Sequence, residues 1–205
     1  TAIGMGGPGA VFWMWAIAFI GAATAYIEST LAQIYKEERA TEYRGGPAFY
    51  IEKGMGQKWF AVIFAVSALL AMLILMPGVQ SNAIAGAMNN AFGIENWITG
   101  AIIAALLAVI IIGGIKSIAN AAQIIVPFMA LVIIAMNISE IPRVIGLIFS
   151  SAFGAQELFG GIIGSAIAWG VKRGIYSNEA GQGTGAHPAA AAEVSHPAKQ
   201  GLVQA

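Results

Sequence analysis

The chain of 205 residues is 58% hydrophobic and only 10% charged, with a mean hydropathy of +0.76, which leaves too little polar surface to coat a soluble globule of that length. Ten basic and ten acidic residues balance, so no excess charge attracts nucleic acid, and the absence of cysteine removes disulfide frameworks and thiolate metal sites. The fold class expected is all-α, a polytopic membrane protein with about five membrane-spanning elements.

Thr1 lies already inside an apolar segment and Ala205 closes the chain as a new apolar run begins, so the sequence reads as a fragment forming one membrane domain. A span needs roughly 20 mainly apolar residues. Pro8 to Tyr35 supplies the first, opening on the small-residue turn Gly6-Gly7-Pro8-Gly9. Trp59 to Met76 is the next and continues past Pro77-Gly78 toward Asn89, where a kinked helix is expected. Trp97 to Ile112 and Ile115 to Ile138 are separated by Gly113-Gly114, a tight turn between antiparallel spans. Ile141 to Phe153 is too short to span and reads as an interfacial or re-entrant helix. Gln200 to Ala205 begins another span.

Lys36, Arg39, Arg44, Lys53 and Lys58 make up half of the ten basic residues and fall in one loop. Residues 36–58 are therefore expected to be a solvated cytoplasmic loop, with a lipid-headgroup or gating role as the alternative. Trp13, Trp15, Trp59 and Trp97 stand near span ends, as interfacial anchors do.

The last full crossing, Leu158 to about Val194, differs from the others. Leu158 to Gly170 amounts to roughly 20 Å of helix, short of a core about 30 Å thick. Lys172 to Gly185 is polar and glycine-rich, and Ala186 to Val194 resumes as an alanine-rich helix. Two half-helices around an unwound centre are expected, because bare backbone at membrane depth is tolerated where it lines a binding cavity. The alternative is an ordinary extramembrane loop. Glycines would let backbone groups approach a small zwitterion closely, and Ser177, Asn178, Thr184 and freed carbonyls are the oxygens a hard cation wants. Glu28 lies roughly seven residues, about 10 Å, inside the first span. A carboxylate there needs a partner, for which backbone amides of the broken span, Ser29 or Thr30 are candidates. Gln80 and Asn82 are further intramembrane polar groups, Gln80 beside the Pro-Gly kink being the one expected to face a cavity. His187 and His196, each before a proline and on no shared helical face with Glu193, read as structural polar residues rather than a metal or catalytic pair.

Three ordered blocks carry a resemblance: Gly6-Gly7-Pro8-Gly9-Ala10-Val11-Phe12-Trp13-Met14-Trp15, Arg44-Gly45-Gly46-Pro47-Ala48-Phe49-Tyr50-Ile51, and Lys172-Arg173-Gly174-Ile175-Tyr176-Ser177-Asn178-Glu179-Ala180-Gly181-Gln182-Gly183. They resemble the alanine or glycine:cation (sodium) symporter family, with Ser195-His196-Pro197 and Gln200 to Gln204 continuing the likeness. Tyr176 stands where that family usually has Phe. The resemblance implies a leucine-transporter-like, amino acid-polyamine-organocation fold of two inverted five-helix repeats. The chain would hold the tail of helix one, helices two to six and the start of helix seven, helix six being discontinuous. It further implies that Gln80, Tyr176, Ser177, Asn178, Gly181 and Gly183 touch substrate, that Ser177, Asn178 and Thr184 serve sodium, and that Glu28 and Glu179 support the break. Implied partners are alanine or glycine, the sodium ion and the lipid bilayer of the plasma membrane, with no cofactor beyond the coupling ion and no enzymatic activity.

Rival readings are a proton- or sodium-coupled symporter of another amino acid or amine, an intramembrane hydrolase using Glu179, His187 or Glu193, and a non-transporting membrane subunit in which Leu158 to Val194 packs as one continuous helix.

Overall fold

The computed structural model describes residues 2–39, 42–154 and 160–205. Among these the architecture is all-α apart from one hairpin in the first polar loop. Three helices, Gly9–Ile34, Lys58–Phe92 and Ser117–Met136, are long and apolar enough to cross a membrane, and Asn96–Ile112 is a shorter apolar helix. The chain divides into two compact units, Thr1–Ala68 with Pro142–Ala205, and Leu69–Ile141.

In the first unit, α1 (Ala2–Gly6) gives way at Gly7 to α2 (Gly9–Ile34). Gly7 has φ +70°, a conformation that closes one helix before Pro8 opens the next. The first amide of α2, on Gly9, would be an orphan donor in an apolar setting, and Ser151 Oγ accepts it at 3.0 Å. Ser151 sits on the short helix α8 (Ile141–Ala152), the non-spanning segment expected from its length. Phe149 and Phe153 at that end cluster with Phe12, Trp13 and Trp15, so these two tryptophans pack against a neighbouring helix as well as marking a span end.

The loop after α2 is folded rather than merely solvated. Glu37–Arg39 and Glu42–Arg44 form the antiparallel strands β1 and β2, with Glu38 opposite Tyr43. Helix α3 (Pro47–Met55) follows and buries Pro47 and Ile51. Lys53 pairs with Glu37 at 2.9 Å and the Lys36 ammonium lies 3.9 Å from the Tyr43 ring centre. Charges of a loop expected to be solvated, on Lys36, Glu37 and Lys53, therefore also stitch it together. Helix α4 (Lys58–Leu70) leaves it.

Helix α9 (Gly160–Asn178) runs parallel to α2. The register is read from the glycines: Gly6 lies against Trp169, Gly170 against Ala10 and Trp13, Gly174 against Met14 and Ile17, and Gly21 against Ala180. A Cβ on Gly170 would stand 2.6 Å from the Ala10 carbonyl oxygen, so the missing side chain is what lets the two backbones approach. The start expected at Leu158 lies outside the described residues. Beyond a seven-residue interruption comes α10 (Ala186–Ala191), and then α11 (Pro197–Gln204), whose Gly201 packs on Tyr26 and Thr30 as the chain runs back along α2.

The second unit is a run of helices joined by tight glycine turns: α5 (Met76–Phe92), α6 (Asn96–Ile112) and α7 (Gly114–Met136). The turn expected at Gly113-Gly114 is there, with Gly114 at φ +73°. Just before Pro77-Gly78, where a kinked helix is expected, the helix carries a π-helical turn over Ala71–Leu75, and the Met76 amide reaches back to the Ala71 carbonyl. Pro77 offers no amide to the ladder, and widening the preceding turn is one way a helix absorbs that loss. Ser81 Oγ donates to the Pro77 carbonyl at 2.9 Å. Most apolar side chains of α6 and α7 are exposed, as suits surfaces that meet lipid.

Candidate functional site: a helix broken against its neighbour

The α9–α10 pair confirms an interruption and corrects its limits. Lys172 to Asn178, expected to be unwound, is helical, and only Glu179 to Gly185 departs from the helix. Two features carry the helix through its polar residues. Gly174 lets α9 stay pressed on Met14 and Ile17 of α2. Lys172 and Arg173 reach over the rings of Trp169 and Tyr176, at 5.5 and 4.7 Å from their centres, so their charges are accommodated without unwinding. The second half-helix is correspondingly shorter than the expected Ala186 to Val194, ending at Ala191.

The interruption has its own internal bonding. Glu179 adopts φ +55° and is the one non-glycine residue with positive φ among those described, followed by Gly181 at +84° and Gly183 at +77°. Left-handed backbone at these positions stops the α9 helix from continuing. The Gln182 side-chain amide donates to the Ile175 carbonyl at 3.2 Å, satisfying one acceptor that the end of α9 leaves open. The Gln182 backbone amide bonds the Glu179 carbonyl at 3.0 Å, and Thr184 Oγ1 donates to the Glu179 carboxylate at 2.7 Å.

Glu28 reaches this segment from α2. Its Oε2 accepts the Gly181 amide at 3.3 Å, and the Gly183 amide is the second backbone donor near that carboxylate. Of the partners considered from the sequence, a backbone amide is the one made. Thr30 instead faces Gly201 of α11, and its hydroxyl is buried with no partner among the described residues. Below Glu28 the polar loop closes the arrangement. A Cβ on the buried Gly183 would meet Pro47 Cγ at 2.7 Å and Phe64 Cζ at 2.9 Å. Tyr50 packs on Ala32, Ala186 and Ala190. Burial, with the nearby Glu28 charge, pushes its hydroxyl up to about 12.

The expected site residues thus divide. Glu28, Glu179, Gly181, Gly183 and Thr184 come together at the break. Asn178 opens on a cavity of about 130 Å³ lined also by Gly21, Ala25, Ala180 and Gln204. Tyr176 lies beneath Arg173, and Ser177 is exposed on the last turn of α9. Gln80 is exposed on α5 and belongs to the second unit. The amide of Gly181 is engaged by Glu28 and the Gly183 Cα is covered by Pro47 and Phe64.

Sequence reasoning missed Gln33 and Lys36, which reach from the end of α2 to the carbonyls that end α10. It gave His187 no stated partner, whereas its Nδ1 lies 3.2 Å from the Gly45 carbonyl oxygen. Burial is the larger influence on the Lys36 ammonium and lowers its pKa, with Glu193 and Glu38 pulling the other way. His196 caps α11 by accepting the Ala198 amide at 3.2 Å. No group of three or more His, Cys, Asp or Glu able to hold a metal ion occurs among the described residues.

Comparison with known proteins places this chain in a family. The family model described as the sodium:alanine symporter family matches residues 1–205. A Bacillus subtilis (strain 168) protein, provisionally named a sodium/proton-dependent alanine carrier, is 70% identical over 212 residues, covering 100% of this chain and 44% of the relative. The sodium/proton-dependent alanine carrier protein of Bacillus sp. (strain PS3) is 55% identical, over 100% of this chain and 47% of that protein. A second Bacillus subtilis relative, provisionally named a sodium/glutamine symporter, is 47% identical over 100% of this chain and 44% of its own length. The chain spans a little under half the length of these curated relatives.

Proposed function

Because the chain belongs to the sodium:alanine symporter family, we propose that it supplies part of a sodium-coupled symporter of a small neutral amino acid, alanine or glycine, working by alternating access in the plasma membrane. The observation that carries this reading is the interruption at Glu179–Gly185, held along α2 by the Glu28 to Gly181 bond. Carbonyls at the open end of α9 are acceptors for a substrate ammonium, and amides of the turn outside Gly181–Gly183, whose own amides are engaged, are donors for its carboxylate. Ser177, Asn178 and Thr184 offer oxygens to sodium, and Tyr176 belongs to the proposed substrate set. The folded 36–58 loop lies on the cytoplasmic side in this reading, as its basic residues favour.

Coupling by protons and transport of a larger amino acid form a second reading, favoured by the names of the relatives, two of which mention protons and one glutamine. The hydrolase reading has less support, since His187 is turned to the Gly45 carbonyl and Glu179 to Thr184.

The test is uptake by the complete protein in proteoliposomes. Alanine accumulation driven by an imposed sodium gradient is expected, competed by glycine. Accumulation that persists when choline replaces sodium overturns sodium coupling, and glutamine competing better than alanine overturns the substrate.

A further inference from the structure

A helix of six residues cannot hold itself, because nucleation costs more than so few internal bonds return. Helix α10 is therefore formed by what grips it, and two of the hydrogen bonds in that grip come from one side chain. Gln33, 5% exposed, donates Nε2 to the carbonyls of Ala189 at 2.5 Å and Ala192 at 2.8 Å. Lys36 adds its ammonium to the Ala192 carbonyl at 3.1 Å. The Ala189 carbonyl lies in the last turn of α10 and also accepts the Ala192 amide at 3.4 Å, the Ala192 carbonyl lies just past that turn, and Ala189, Ala190 and Ala32 around them are fully buried. His187 Nδ1 meets the Gly45 carbonyl near the opposite end. The interruption just before α10 is held differently, by the Glu28 to Gly181 bond at 3.3 Å and by bonds within itself.

We propose that Gln33 is a positioning residue, fastening the second half-helix to α2 so that any change of angle between α9 and α10 is taken up by Glu179–Gly185. Its effect on transport rests on the symport reading above, whereas the fastening itself does not. An α10 released from α2 would shift the amides and carbonyls of the adjoining turn, so substrate and sodium would meet a misplaced seat. Gln33 touches neither of them and acts through the carbonyls it holds.

The experiment uses the complete protein, with uptake normalised to the amount of folded transporter. Gln33→Leu leaves an apolar side chain of somewhat shorter reach and removes both N–H donors. The alanine and sodium KM are expected to rise about tenfold. A residue needed only for stability would lower the amount of protein and leave both constants unchanged. Gln33→Glu separates the two more sharply. Its ionised carboxylate would repel both carbonyls, but its protonated form donates one hydrogen bond, so uptake relative to the parent is expected to recover as the pH falls. Unchanged KM values in Gln33→Leu, or a pH profile of Gln33→Glu that superposes on the parent's, overturn the role in transport. If Gln33→Leu does not fold, Gln33→Glu decides. Hydrogen exchange across Ala186–Ala192 reads the fastening without transport and is expected to accelerate at least tenfold in either variant. Unchanged exchange overturns the fastening whatever the parent carries, while a parent without sodium-driven uptake overturns the symport reading alone.

Discussion

Pro47 and Gly183 meet where the folded polar loop closes on the broken helix: a Cβ on Gly183 would lie 2.7 Å from Pro47 Cγ. The contact exists because residue 183 has no side chain and because Gly45 and Gly46 bring the loop against Ala190 and His187. The block Arg44 to Ile51 is thereby explained as the partner of the block Lys172 to Gly183.

Gly183→Ala should destabilise this junction twice over. At φ +77° an alanine costs about 1–2 kcal/mol, and its methyl would also collide with Pro47 and Phe64. The expected outcome is a lowered thermal midpoint of the complete protein in detergent. Pro47→Ala in the same background should return part of the loss, leaving the strain at φ. Strictly additive effects would show that the two residues do not touch.

Much of this was legible in the sequence because membrane physics fixes span lengths and penalises unpaired backbone. The limits of α2, α6, α7 and α8 fell within a few residues of expectation, and the run of glycines at 181–185 announced an interruption. The boundary at Asn178 was not legible. Lys172 and Arg173 looked too polar for a helix because the rings beneath them, Trp169 and Tyr176, are visible only once the helical spacing is given. Gln33 was silent for a similar reason: near the end of a span a glutamine looks like ordinary surface, and its role depends on carbonyls 156 and 159 residues away.

Glu28→Gln should weaken uptake more than folding. Gln can still accept the Gly181 amide but lacks the charge, and a charge-assisted bond exceeds a neutral one by about 1 kcal/mol, or about fivefold in an equilibrium. Initial uptake rate per folded molecule, compared with the amount recovered by size-exclusion chromatography, checks this. Equal losses in both would mean that the acid serves the fold alone.

Gly174→Ala pits two effects against each other. Alanine is the better helix former by about 1 kcal/mol. Here, however, its methyl would collide with Ile17 Cγ2 and lie 3.2 Å from Met14 Cα, and overpacking of a close crossing costs about 1–3 kcal/mol. The close approach should win, giving a net loss of thermal stability that Ile17→Ala partly restores. A gain in stability from Gly174→Ala alone would show that α9 and α2 are farther apart.

Tyr50 should ionise only at high pH. Its pKa of about 12 reflects burial against Ala32, Ala186 and Ala190 first and the Glu28 charge second, whereas a free tyrosine titrates near about 10. The folded value is raised, so the fold favours the protonated hydroxyl. That contribution to stability is complete below about pH 10 and is lost as the pH climbs through about 12. A spectrophotometric alkaline titration should therefore contain a late phenolate step that Tyr50→Phe removes and that Glu28→Gln moves to lower pH by taking away the second cause. A late step that survives Tyr50→Phe would mean that Tyr50 is not seated on α10, and with it the loop would lose its hold on the second half-helix.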